Sequence, residues 1–254
     1  MTGILAAVAS ATGIITAVAS AFRRKKTILA ILAIVFATEL HAAAFAEAPA
    51  GEQQPAAARQ PRLFPPEDLG LLESPDRAAW QKPDLIMDAL RIAYGDTVAD
   101  IGAGSGFFTV RLARRVDPRG ENGLVYAEDI QPPMLESIKR RVSREGLKNV
   151  VTRLGTATNT NLPKGALDAV LVVDVYQEIE DEASRIRLLR HLAGTLKPQG
   201  RIGIVNYRPG EGGPGPEPQR RLDRAVVEAE VGAAGLRVLD GATLPFQYLL
   251  IVGR

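Results

Sequence analysis

Val98-Ala-Asp-Ile-Gly-Ala-Gly-Ser-Gly106, followed at once by Phe107-Phe-Thr-Val-Arg-Leu-Ala-Arg-Arg-Val116, is the stretch on which the reading of this chain turns. A short apolar run enters a glycine turn, and the turn enters a segment of helical period, so the pattern is strand, turn, helix. Glycine has no Cβ, takes positive φ in a sharp turn and lets a ligand approach the backbone closely. A helix N-terminus at the carboxyl edge of a sheet is where open α/β folds bind their ligands, so this turn locates a cofactor site. A dinucleotide fold asks for G-x-G-x-x-G, and the place of its last glycine is taken here by Phe107, a bulky side chain. The spacing of Gly102, Gly104 and Gly106 therefore disfavours an NAD-dependent oxidoreductase.

Outward from this motif, helical patterns alternate with short β-branched runs, the signature of a parallel sheet covered on both faces. The spacing predicts a helix over Pro83–Ala93, strand Thr97–Ile101, helix Ser105–Val116, strand Gly123–Asp129, helix Pro132–Glu145 and strand Val150–Leu154. Strand Leu167–Asp174, helix Glu182–Leu196 and strand Arg201–Tyr207 follow. The run RPGEGGPGPEP from Arg208 to Pro218 holds neither helix nor strand and reads as a loop, either a lid or a surface insertion. A helix over Gln219–Ala234 then leads to strands Leu236–Leu239 and Gln247–Val252 with no helix between them, so this last pair should be antiparallel. The expected fold is α/β, a Rossmann-like doubly wound sheet of seven mostly parallel strands with helices on both faces.

The N-terminus has a different character. Arg23, Arg24, Lys25 and Lys26 precede an apolar run from Thr27 to Ala37 and a small-x-small site at Ala44-Phe45-Ala46, the layout of a signal peptide. Residues 1–22 are themselves apolar and near the length of a membrane span, so an anchor or a membrane hairpin is the competing reading. Residues 1–46 are thus expected to be a signal peptide or anchor, 47–70 an Ala/Pro/Gln-rich linker and 71–254 the folded domain. Basic flanks favour an extracytoplasmic domain, periplasmic or secreted, with a cytoplasmic domain on an anchor as the alternative.

Composition narrows the chemistry. The chain of 254 residues has no cysteine and two histidines, so thiol chemistry, disulfides and a Cys- or His-built metal site are all excluded or improbable. The formal charge of +2 resides in the N-terminal basic cluster, and the remaining chain is close to neutral. No basic stripe marks a nucleic-acid partner.

With these residues in view, the chain resembles the class I S-adenosylmethionine-dependent methyltransferases over roughly Trp80 to Val252. VADIGAGSGFFTVRLA is similar to the family's first motif, which implies cofactor contacts from Asp100, Gly102, Ala103, Gly104 and Gly106. LVYAEDI is similar to its second strand, ending in the acid that binds the ribose hydroxyls, here Asp129, with Ile130 against the adenine. Strand alternation sends the neighbouring Glu128 to the other face. Gly155-Thr-Ala157 stands where relatives often have Gly-Asp-Ala, so the resemblance assigns Thr156 and Ala157 to the adenine, with a hydroxyl in place of a carboxylate. LDAVLVVDVYQEI is similar to the fourth strand and its loop, placing Asp174 at the cofactor and Tyr176, Gln177 and Glu178 toward the acceptor. Many relatives have histidine at the position of Gln177, so no general base can be named. The pattern is most similar to small-molecule methyltransferases of quinone biosynthesis and their bacterial relatives. It implies S-adenosylmethionine as cofactor and a small-molecule acceptor, with a non-catalytic nucleoside-binding domain as the alternative. His191, among Leu188, Leu189, Leu192 and Leu196, reads as a helix-face residue.

Overall fold

The computed structural model describes residues 63–117, 119–210 and 212–254; the expected signal or anchor and most of the linker lie outside them. Seven strands form one sheet: β1 (Thr97–Ile101), β2 (Leu124–Asp129), β3 (Val150–Leu154), β4 (Leu167–Val173), β5 (Leu196–Tyr207), β6 (Arg237–Thr243) and β7 (Gln247–Gly253). Their spatial order is β3-β2-β1-β4-β5-β7-β6, and β7 alone runs against its neighbours. The helices are α1 (Arg77–Gln81), α2 (Pro83–Ala89), α3 (Phe107–Val116), α4 (Pro132–Arg144), α5 (Glu182–Thr195) and α6 (Arg224–Ala233).

Strand alternation divides the core. Ala99, Ile101, Val170, Val172, Ile202 and Ile204 face α5 and α6, meeting Leu188, Leu189, Leu192 and Val227. Val98, Val125, Leu171 and Val205 face the other way, onto Ile86, Leu90, Phe108 and Leu112 of the α2 and α3 layer. Burying each such aliphatic side chain contributes about 1.5–3 kcal/mol, and both faces must be covered because a mostly parallel sheet is apolar on both.

Several boundaries differ from the sequence expectation, each for a local reason. Helix α2 stops at Ala89 rather than Ala93, because Arg91 takes a φ of 58° and turns the chain toward β1. Helix α3 starts at Phe107 rather than Ser105, because Gly106 at φ 82° is still part of the glycine turn. Strand β5 begins at Leu196, pairing with Leu167 before a register shift, where Arg201 was expected. The last helix is broken into a 3-10 turn at Pro218–Arg220 and α6, whose N-cap Asp223 accepts from Ala225 N. A 3-10 helix, Pro66–Glu73, lies across the expected domain start at residue 71. Among the described residues no helix is long and apolar enough to cross a membrane.

Candidate cofactor and acceptor site

The carboxyl ends of β1, β2, β3 and β4 open into one cavity of about 1020 Å³. The chain leaves β1 at Gly102 with a φ of 62°, and a Cβ there would lie 2.3 Å from Val175 Cγ2. Glycine is thus required both for the turn and for the packing of the loop after β4. Phe107 opens α3 between two guanidinium groups, Arg77 at 4.2 Å and Arg111 at 3.7 Å from its ring centre. That stack fills the place where a dinucleotide fold keeps its third glycine. Asp100 shares the face of Val98 and turns under the loop, where Thr109 Oγ1 donates to it at 2.6 Å. Burial pushes its carboxyl up to about 7, against the pull of the Thr109 hydrogen bond.

At the end of β2, Asp129 is gripped by backbone donors: Gly104 N at 3.0 Å to Oδ2 and Gln131 N at 2.9 Å to Oδ1. Burial raises its pKa, while these donors pull the other way. Glu128 does not turn to the opposite face as alternation predicts; both carboxyls line the cavity. The β1 ladder ends with Ile101 opposite Glu128, so Asp129 has a strand partner only in Leu154 on the β3 side. Alternation holds only inside a ladder, and here the chain is already turning. Glu128 accepts from Gly102 N at 3.4 Å, is 2% exposed, and is pushed up to about 8 by burial, with Asp129 and Asp100 adding to the rise.

Ile130, Thr156 and Ala157 line the same end of the cavity. The Thr156 hydroxyl is engaged in its own turn, accepting from Asn159 N at 3.1 Å. Thr160 closes that loop through His191, whose Nε2 accepts from Thr160 N at 3.1 Å. His191 therefore holds a cavity loop rather than taking part in chemistry, and burial lowers its pKa.

At the other end, Asp174 has a φ of 62°, an uncommon conformation for a residue with a side chain, which aims its carboxyl back over the sheet edge. Gln81 Nε2 donates to it at 3.0 Å, Gln247 Nε2 donates to its other oxygen, and Arg77 Nη2 lies 3.9 Å away. Burial pushes this carboxyl up to about 7, against Arg77 and the amide donors. Trp80 closes this end, its ring 6.2 Å from Tyr207 and 6.0 Å from Phe246. Gln177 and Glu178 line the cavity as expected, and Glu178 is paired with Arg220. Tyr176, expected on the acceptor side, does not line it. Its ring is fully buried between α5 and α6, and its hydroxyl donates at 2.6 Å to Glu230 Oε2, which also pairs with Arg185. A 3-10 turn at Tyr176–Glu178 breaks the strand period and drives this ring into the core.

The Gly/Pro loop is built against the cavity. Arg221 donates to the carbonyls of Gly210, Gly212, Pro214 and Pro216, and Pro214, Gly215 and Pro216 line the wall. Gly215 lies on the face of Tyr207, where a Cβ would come within 2.7 Å of three ring atoms.

Arg77, Gln81, Ser105, Tyr207, Phe246 and Gln247 were not singled out as site residues from the sequence. Four of the buried polar atoms without partners among the described residues, Ser105 Oγ, Glu128 Oε1 and both amide atoms of Gln177, belong to residues that line the cavity. Among the described residues no group of three acidic or histidine side chains is arranged to hold a metal ion.

Residues 98–200 match the family model described as a methyltransferase domain. The chain is similar to a solved S-adenosylmethionine-dependent methyltransferase from Aquifex aeolicus, 26% identical with a TM-score of 0.69, over 75% of this chain and 98% of that one. It is 36% identical over 124 residues to an uncharacterized methyltransferase of Mycobacterium tuberculosis, spanning 48% of this chain and 44% of that protein. It is 30% identical over 131 residues to the ubiquinone/menaquinone biosynthesis C-methyltransferase of Pasteurella multocida, spanning 48% of this chain and 43% of that protein. The matches thus span less than half the length of these curated relatives. Residues 98–200 thus form a methyltransferase domain, and the solved relative supports S-adenosylmethionine as its cofactor.

Proposed function

We propose that the protein transfers the methyl group of S-adenosylmethionine to a small-molecule acceptor held in this cavity. The observation that carries the reading is the continuity of the cavity from the paired carboxyls at the end of β2, past the glycine turn, to Asp174 and Gln177 after β4. In this reading Asp129 accepts hydrogen bonds from the ribose hydroxyls, Ile130 and Ala157 flank the adenine, and the loop Gly102–Gly106 passes beneath the chain that bears the sulfur. The bound cofactor supplies an already activated methyl group on a sulfonium. The domain then has mainly to hold the acceptor in line, which the aromatic wall of Trp80, Tyr207 and Phe246 and the Gln177 amide would do. Where the acceptor's nucleophile carries a proton, Asp174 is the carboxyl placed to receive it, and a value near 7 suits that exchange at neutral pH. The similarity to a quinone-biosynthesis C-methyltransferase and the aromatic lining both favour a planar, apolar acceptor.

Titration calorimetry of the full chain with S-adenosylmethionine, S-adenosylhomocysteine and NAD tests this directly. The two sulfur compounds should bind, Asp129→Ala should weaken both at least about tenfold, and NAD should not bind. NAD binding alone, or no binding, overturns the reading. Turnover to S-adenosylhomocysteine with a panel of quinols and phenols separates an enzyme from a binding domain.

The N-terminal basic cluster and apolar run are the basis for a further part of the proposal, that the domain works outside the cytoplasm, either released or tethered to the membrane surface. An alkaline phosphatase fusion placed after residue 62 should be active if so, and inactive if the domain stays inside.

A further inference from the structure

We propose that Gln81 and Gln247 are positioning residues for Asp174, members of a buried one-way hydrogen-bond chain that holds this carboxyl ionised and aimed at the proton of the acceptor. The inference rests on the methyltransferase reading, in which Asp174 receives that proton, and extends it to two residues that cannot touch the acceptor themselves.

Chemistry forces the direction of the chain. Arginine has no acceptor, so the atom of Gln81 that meets Arg77 Nε at 2.6 Å must be its carbonyl oxygen. The Gln81 amide nitrogen is then left to donate, to Asp174 Oδ2 at 3.0 Å and to Gln247 Oε1 at 3.2 Å. That second bond fixes the Gln247 amide in turn, and its nitrogen donates to Asp174 Oδ1. Each carboxyl oxygen is thus met by a donor, one from α1 and one from β7. Donors of this kind favour a carboxylate over a carboxylic acid. Arg77 is itself fixed, donating to Leu72 O at 2.6 Å and stacked on Phe107 at 4.2 Å, so the chain is anchored on the helix that follows the glycine turn.

Access separates the carboxyl from the amides behind it. Asp174 lines the cavity with 22% of its side chain exposed, in a left-handed conformation that a residue with a Cβ rarely adopts and that therefore needs holding. Gln81 and Gln247 are fully buried and do not line the cavity, so any effect they have on a ligand passes through Asp174. The other groups facing Asp174 are Arg77 from α1, Glu178 from the 3-10 turn after β4, itself paired with Arg220, and Tyr207 from β5. Arg77 favours the anion and Glu178 opposes it, while burial and Asp174 together hold the Tyr207 phenol in its protonated form. Burial pushes Asp174 up to about 7, and the amide donors keep it from rising further.

The test is the titration of the Asp174 carboxyl, followed by NMR of the full chain labelled at its aspartate carboxyl carbons from about pH 5 to about pH 10, with Asp174→Asn to assign the signal. The wild-type signal should titrate near pH 7. Gln247→Met fills similar space without a donor, and its Asp174 should titrate at least about one pH unit higher, as an acid about tenfold weaker. Gln81→Met removes the other donor and should do the same, so the comparison survives where one variant fails to fold. With a phenol or quinol that the wild type methylates, the acid limb of kcat should move up by the same interval while KM for S-adenosylmethionine stays within about twofold. An Asp174 titration unmoved in both variants overturns the inference, and so does an acid limb that stays in place while the carboxyl shifts; either leaves the methyltransferase reading standing. A wild type that binds no S-adenosylhomocysteine overturns both.

Discussion

Gly155 and Glu128 sit on neighbouring strand ends in a relation of exclusion: the side chain that glycine lacks would occupy the position of the glutamate's Oε1, 1.7 Å away. Gly155→Ala should therefore push the Glu128 carboxyl off its seat. We expect S-adenosylhomocysteine binding to weaken about tenfold, with stability lowered by about 1–2 kcal/mol. Combined with Glu128→Ala, the two changes should be non-additive by about 1 kcal/mol or more, because the clash and the contact involve the same atoms. Calorimetry on the four members of this cycle checks it, and additive effects would place the two residues in separate roles.

Asp100 links burial to pH. Its carboxyl is raised to about 7 and that of Glu128 to about 8, so each contributes stability that is fully present below the usual carboxylate range and is lost as the pH rises through those values. The ligand-free domain should lose thermal stability between about pH 5 and pH 8. Asp100→Asn keeps an acceptor for Thr109 and removes the charge. It should flatten the profile and stabilise the domain by about 1–3 kcal/mol at the alkaline end. Melting curves at a series of pH values decide the matter; parallel profiles for the two proteins would show that Asp100 ionises without cost.

Tyr176 belongs to the core. Its hydroxyl, Arg185 and Glu230 form a buried network joining α5 to α6. Tyr176→Phe should cost about 1 kcal/mol of stability. Glu230→Ala leaves Arg185 buried without its partner and should cost about 3–5 kcal/mol. Neither should change cofactor affinity, as measured by calorimetry below the melting transition. A Tyr176→Phe variant of normal stability but altered acceptor preference would return this residue to the site.

Arg221 clasps the Gly/Pro loop through its carbonyls. Arg221→Lys offers a point charge in place of a planar fork and should release most of these bonds. Limited proteolysis should then cut between residues 208 and 218 several-fold faster than in the wild type. Equal cutting rates would mean that the packing of Gly213 on Phe246 and Gly215 on Tyr207 is enough to hold the loop.

The sequence by itself determined the strand–turn–helix of the glycine motif, the seven-strand α/β architecture and the reversed last strand. Those features rest on local signals: β-branched runs, glycine spacing, and the absence of a helix between Arg237–Thr243 and Gln247–Gly253. Nine of the ten cofactor positions, all but Gly106, and two of the three acceptor-side positions expected from motifs do line the cavity, because they follow strand ends whose place the topology fixes. What only the tertiary structure decided are orientations at the points where a ladder stops and periodicity ceases to constrain the side chain. There Glu128 turned inward and Tyr176 turned into the core. Tertiary structure alone also assembled the Arg77, Gln81, Asp174 and Gln247 network, whose hydrogen-bonded members are up to 166 residues apart and owe their meeting to β7 entering the sheet beside β5. Contacts of that range leave no mark in local sequence, since each partner is an ordinary polar residue until the fold brings the others to it.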